Sequence, residues 1–272
     1  MYRFFFALVC ITFLPAGILF SWSSFEPESW EYWENHEATS QEIIDHSEWD
    51  DLLGQYVVPD GQGLNRFAYS AFTEMDKERL DAYVKSLEAV EITLFNRSEQ
   101  LAYWLNLYNA LTIQVVLDHY PVKSIKEIDL AGLLSKGPWK AELIFVEEVE
   151  MSLDAVEHEI LRPIWRDPRV HYGLNCASIG CPNLHTNAFS GATVDSTLDT
   201  LAAAFINHPR GVTIEDGELI VSSIYSWFAF DFGNSQAGII EHVSKFADPD
   251  LKAQIAEINR ISDHRYNWSL NE

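Results

Sequence analysis

The sequence predicts an α+β fold, a predominantly helical single domain with a small antiparallel sheet. Three observations carry that expectation. Apolar residues recur at three-to-four spacing over several long stretches, while strict alternation is confined to short ones. The helical and strand-like stretches do not alternate regularly, which argues against a wound βαβ architecture. Across 272 residues, 47% are hydrophobic and 13% aromatic, enough for one large core and too apolar for a disordered chain.

Taken in order, residues 24–60 open as an acidic, aromatic lead-in, with Trp30, Tyr32, Trp33 and Trp49 set among Glu28, Glu31, Glu34, Glu37 and Glu48. It reads as a loosely structured segment whose aromatics dock on the body. Residues 61–272 form the single domain. A helix is expected over 76–89, where Leu80, Tyr83, Val84 and Leu87 share a face. A longer one follows over 98–119 and is ended by Pro121. Residues 140–151 read as a strand or hairpin. Ser152 is a good N-cap for a helix reaching Trp165, with Asp154 in its first turn and Pro163 as a kink or stop. Val170 to Leu174 alternates apolar residues with His171 and Gly173 and is expected as a short strand. A helix over 195–207 comes next. The dipeptide Asp216-Gly217 between two alternating runs marks a hairpin. Helical stretches near 223–232, 236–246 and 250–258 close the chain.

Residues 1–23 have the form of a secretory leader: Arg3, an apolar run over 4–20, and Ser21 and Ser23 at the small-residue positions of a cleavage site. The expected location is therefore exported, periplasmic or secreted. The net charge of −23 excludes nucleic acid and anionic lipid as partners, since both demand a basic face. No membrane association is expected once the leader is removed. Nothing calls for a cofactor or a metal.

Several blocks carry a family resemblance: Tyr103 through Asn106 and Asn109 to Ile113; Tyr120 to Ile125; Gly137-Pro138-Trp139; Ser152 through His158 to Arg162; Asp167 to His171; Asn175-Cys176-Ala177-Ser178; Cys181-Pro182; Ser223 to Phe228 with Asp231; and Trp268 to Asn271. In this order they resemble the DUF547 family, whose activity is not established. The resemblance implies one DUF547-like domain over 61–272 and leaves the reaction open. Where relatives tend to read Tyr-Asp-Trp, this chain has Tyr266-Asn267-Trp268, which puts any carboxylate role at 267 in doubt.

The same blocks hold the candidate site. Asn106 and Asn109 lie three apart on an apolar helix, where their amides either line a pocket or bridge a neighbouring loop. Asp154, His158 and Arg162 form one stripe at four-residue intervals, so His158 is a candidate base and Arg162 a candidate anion clamp. The alternative is a structural ion-pair network reaching Asp167 or Asp231. Glu157 is expected at the surface. Trp139, Trp165, Trp227 and Trp268 read as core rather than ligand platform.

Once Cys10 leaves with the leader, Cys176 and Cys181 are the only cysteines. A disulfide is the first reading, as export permits it. In the second, Cys176 is a nucleophile, His158 or His171 holds its proton, and Asn109, Asn175 or Asp231 orients the histidine. Zinc held by His171, Cys176, Cys181 and His185 comes last, because the spacing has no close match among known zinc sites.

Two functions follow. One is a Cys/His-dependent hydrolase or acyl transferase with Cys176, His158 and His171 as catalytic residues and Asn106, Asn109, Arg162, Asn175 and Asp231 as binding residues. It would act on a small-molecule or peptide-like ligand from peptide or envelope material. The other is a non-catalytic envelope binding or assembly protein with a structural disulfide.

Overall fold

A computed structural model describes residues 30–130, 132 and 137–272. The leader read over 1–23 and the start of the lead-in lie outside the described residues. Among them, no helix is long and apolar enough to cross a membrane.

The helix α1 (Ser47–Tyr56) buries Trp49, Leu52, Leu53 and Tyr56 on one side. Ten residues are too few for a stable isolated helix. Each of those four side chains contributes about 1.5–3 kcal/mol on burial, so packing holds α1 in place. The lead-in is thus more ordered than its composition suggests, and Trp33 is buried with it. The strands β1 (Val57–Pro59) and β2 (Asn65–Phe67) pair antiparallel. The helix α2 (Glu74–Glu88) starts where Thr73 accepts the Asp76 amide hydrogen.

At the centre runs α3 (Arg97–His119), capped by Asn96, whose side chain accepts from the Ser98 and Glu99 amides. Every residue from Glu99 to Ile113 is buried. A helix buried all round has no solvent face to spare, and α3 is packed by α2 and by elements introduced below.

The strands β3 (Ile144–Val146) and β4 (Val149–Met151) form the expected hairpin. Ser152 then accepts the Ala155 amide hydrogen and starts α4 (Leu153–Ala155). This helix widens into a π-helical turn at Val156–Leu161 before α5 (Arg162–Trp165). Both the π turn and α4 lie against α3.

The strand expected at 170–174 is instead a helical turn, α6 (Val170–Gly173). Asp167 and Pro168 impose it: the Arg169 amide donates to Asp167 Oδ1 at 2.9 Å. The amides of Val170, His171 and Tyr172 then fold back on the carbonyls of Asp167, Pro168 and Arg169. Four residues are too few for alternation to separate strand from helix. Arg169 also reaches Asp195 and Asp199, each at 2.7 Å, on α7 (Val194–Ile206). A Cβ at Gly173 would sit 3.0 Å from Leu105 of α3 and from Leu198 of α7, so glycine permits the close approach of α6 to both.

The hairpin β5 (Val212–Glu215) and β6 (Glu218–Ser222) turns at Asp216-Gly217 as read. After α8 (Ile224–Trp227), α9 (Gln236–Phe246) and α10 (Pro249–Ile255), the chain adds β7 (Ile261–Arg265) parallel to β6. The fold is α+β and mostly helical, with small sheets at its margins.

Candidate functional site

The chain after α6 makes the turn that carries the cysteines. Asn175 holds it: its amide hydrogen goes to Asn109 Oδ1 at 2.9 Å, its side-chain NH2 to Pro182 O at 2.7 Å, and its Oδ1 accepts from Ala177 N at 2.9 Å. Ala177 is buried at φ +55°, a left-handed conformation that a residue with a Cβ adopts only when its surroundings force it. The strained residue directly follows Cys176.

Asn106 and Asn109 are buried at 0% and 2% exposure, and their amides serve the backbone. Asn106 exchanges two hydrogen bonds with Phe189, both 2.9 Å. Asn109 donates to Gly173 O at 2.8 Å while accepting from Asn175. These three asparagines fix the loops around the site and do not face its cavity.

The disulfide reading is corrected. Cys176 and Cys181 are free thiols with Sγ atoms 2.9 Å apart, well beyond the ~2.05 Å of a sulfur–sulfur bond. Cys181 is buried and accepts the Cys176 amide hydrogen at 3.0 Å. Cys176 Sγ also lies 3.0 Å from the Tyr266 hydroxyl and 3.4 Å from Ser178 Oγ, and those two hydroxyls are 2.8 Å apart. The hydrogen bond from Cys181, helped by those from Ser178 and Tyr266, holds the Cys176 thiol below its ordinary pKa despite burial. Burial and its own bond to Cys176 push Cys181 well up, and burial keeps Tyr266 protonated as a donor. No histidine among the described residues hydrogen-bonds Cys176.

The thiol pair borders a cavity of about 190 Å³. Tyr266 closes one side with three tryptophans, Trp139, Trp227 and Trp268, so these are a cavity wall and not core as the sequence suggested. The opposite wall comes from α4 and the π turn: Asp154, Glu157 and His158 all face it. Glu157 is not at the surface. The π turn fits an extra residue into one turn, which brings Glu157 and His158 onto the cavity together. Glu157 is 9% exposed, accepts from the Tyr108 hydroxyl at 3.2 Å, and stands 3.6 Å from His171 Nδ1.

His158 Nε2 is 3.8 Å from Asp154 Oδ1, and its Nδ1 faces Arg162 Nη1 at 3.4 Å. A guanidinium can only donate, so the resting imidazole accepts at Nδ1 and carries its proton on Nε2. Burial raises the Asp154 pKa. Arg162 turns its Nε to Asp231 Oδ2 at 2.6 Å, and the same oxygen meets His171 Nε2 at 2.7 Å. Burial alone would push the Asp231 carboxyl up, but the bonds from His171 and Arg162 outweigh it and hold its pKa low. His171 stacks on Phe228, ring centroids 4.2 Å apart.

Of the residues singled out in the sequence, Cys176, His158 and His171 thus share one cavity. Asp231 and Arg162 brace His171 from behind, and the asparagines frame the loops. Asn267 packs its backbone against Gly180, donating no carboxylate to the cavity. His185 lies apart, its Nδ1 bonded to Asn187 O, and no cluster of three or more His, Cys, Asp or Glu among the described residues is placed to hold a metal. Sequence reasoning missed Glu157 and Tyr266. For Tyr266 the nearest signal was its place beside Trp268 in a resembling block.

Residues 92–206 match the family model described as "Protein of unknown function, DUF547", so the resemblance holds over that stretch, which is less than half of the chain. No curated protein and no solved structure matches.

Proposed function

We propose that this protein is a thiol-dependent acyl hydrolase or transferase, with Cys176 as nucleophile. The carrying observation is a thiol that lines a cavity with Cys181, Ser178 and Tyr266 within hydrogen-bond distance, a set that favours its thiolate. A thiolate is the reactive form, so a lowered pKa raises its population near neutral pH. The substrate carbonyl would accept from the Tyr266 hydroxyl and from His158 Nε2–H, which could stabilise the charge that develops on its oxygen.

In the first step the Cys176 sulfur bonds to the acyl carbon while the carbonyl electron pair moves to oxygen. Collapse of that intermediate expels the thiol of a thioester substrate as its thiolate, which water protonates. Water, or an amine or hydroxyl acceptor, then attacks the thioester and returns the thiolate. With no histidine bonded to the sulfur, little acid catalysis is available to a poor leaving group. Thioesters therefore suit the site better than alkyl esters or amides. His171, held by Asp231 and facing Glu157, is a positioning residue in this scheme. The leader at 1–23 supports peptide or envelope material as the source of such acyl groups.

The competing reading is a non-catalytic binding protein, and the lack of a histidine on Cys176 favours it. Intact mass and timed alkylation of the purified protein separate the two. The expected result is two free thiols, with Cys176 alkylated at neutral pH about tenfold faster than an ordinary cysteine. Thioester turnover should be lost in Cys176→Ser and reduced in His158→Ala. Ordinary alkylation rates together with no turnover of any ester or thioester would overturn the enzyme reading.

A further inference from the structure

The cavity that holds Cys176 has two kinds of wall. One is aromatic: Trp227 and Tyr266 have ring centroids 4.8 Å apart, Tyr266 and Trp268 4.6 Å, and Trp227 and Trp268 5.5 Å. Trp139 meets Trp268 at 5.8 Å. The other wall is acidic, from Asp154 and Glu157, and among the described residues no Lys or Arg lines the cavity.

Behind it, Asp231 is taken up by Arg162 and His171, while Glu157 stands 3.6 Å from His171 Nδ1 and Asp154 3.8 Å from His158 Nε2. The π face of an indole attracts a cation within about 6 Å of its centroid. Trp268 already does so for one ammonium, as Lys126 Nζ stands 4.6 Å over its ring. Trp227 lines the cavity and is 43% exposed, so part of its ring is open to a ligand.

We infer that the cavity selects acyl compounds bearing an ammonium group, with Trp227, Tyr266 and Trp268 as the aromatic wall and Asp154 and Glu157 as the counter-charge. This names the substrate class for the thiol chemistry proposed above and rests on that reading only for the reaction, not for the binding. The ammonium takes the end walled by Asp154 and Glu157, and the acyl carbon comes to the Cys176 sulfur. A neutral isostere of the same shape keeps the apolar contacts and loses the attraction to both walls. An anionic acyl compound meets two carboxylates and is refused.

Binding is tested without turnover. Cys176→Ala protein is titrated with choline and with 3,3-dimethylbutan-1-ol, its neutral isostere, and tryptophan fluorescence is followed. Choline should bind at least about fivefold more tightly than the alcohol. Asp154→Asn should shrink that preference, and Trp227→Leu should shrink it too, with both variants checked for native circular dichroism. Equal affinity for the two ligands, or a preference untouched in both variants, overturns the inference. Wild-type protein is then assayed with acetylthiocholine and with 3,3-dimethylbutyl thioacetate. Choline preference with no hydrolysis of either would sink the thiol reading and leave the cation site standing. Hydrolysis of both at equal kcat/KM would do the reverse.

Discussion

Replacing Asp231 with alanine should be among the most damaging single changes to stability near the site. Its Oδ2 is the shared acceptor of Arg162 Nε at 2.6 Å and His171 Nε2 at 2.7 Å. Arg162 is 9% exposed and His171 4%, so neither can turn to water when the carboxylate goes. Each charge-assisted bond is worth about 1.5–3 kcal/mol, and removing one partner of a buried ion pair costs about 3–5 kcal/mol. The expected loss at pH 7 is therefore about 3–5 kcal/mol, or a Tm lower by about 6–20 °C for a domain of this size.

The pH dependence has a definite sign. The native Asp231 pKa lies below its ordinary value, so its stabilisation is complete above the unfolded carboxylate pKa and is lost as pH falls through the native one. Urea denaturation followed by tryptophan fluorescence, at pH 7 and again near pH 3, measures both effects. The gap between wild type and Asp231→Ala should narrow at the lower pH, and Asp231→Asn, which keeps one oxygen acceptor, should fall between them at pH 7. A loss below about 1 kcal/mol at pH 7, or a gap that does not narrow on acidification, would refute this account of the bracing.

Two other outcomes follow from the loop that carries the thiols. Asn109→Ala strands the Gly173 carbonyl and the Asn175 amide in a dry interior, and at about 1–3 kcal/mol for each it should cost about 2–6 kcal/mol in the same denaturation assay. At Ala177 the left-handed backbone reverses the usual ranking: Ala177→Gly should be neutral or stabilise by up to about 1 kcal/mol, and Ala177→Val should destabilise by more than that.

The fold was legible where the signal is local. Leu80, Tyr83, Val84 and Leu87 announce α2, and Pro121 marks the end of the buried α3, because periodicity and breakers lie within a few residues of what they control. Asp216-Gly217 marks its hairpin for the same reason. The parallel strand β7 was missed since its partner β6 lies some forty residues earlier and Ile261 to Arg265 has no turn signal beside it. The site was legible in its residue types and not in its wiring. His171 and Asp231 stand 60 positions apart and Cys176 and Tyr266 stand 90 apart, and no periodicity spans such gaps. The asparagines stood out because amides inside an apolar helix need partners, yet their partners turned out to be backbone groups of distant loops. Glu157 was misplaced because a π turn shifts which face a side chain takes without altering the apolar spacing around it.

The segment that closes the site comes late in the chain. Tyr266 gives the thiol its hydroxyl donor, Gly180 and Ile179 donate to the carbonyls of Asn267 and Ser269, and Asn271 reaches back to Ala177, Phe67 and Tyr69. A Cβ at Gly180 would lie 2.7 Å from Asn267 N, so this segment lies flush against the cysteine turn. On a ribosome moving at about 5–20 residues per second, roughly 5–20 s separate the emergence of Cys176 from that of Tyr266. Through that interval the cysteine lacks the phenol, and the aromatic wall lacks both Tyr266 and Trp268. The newborn chain thus has the Cys181 and Ser178 partners of the thiol well before Tyr266, which completes the set only when the segment after the last strand has docked.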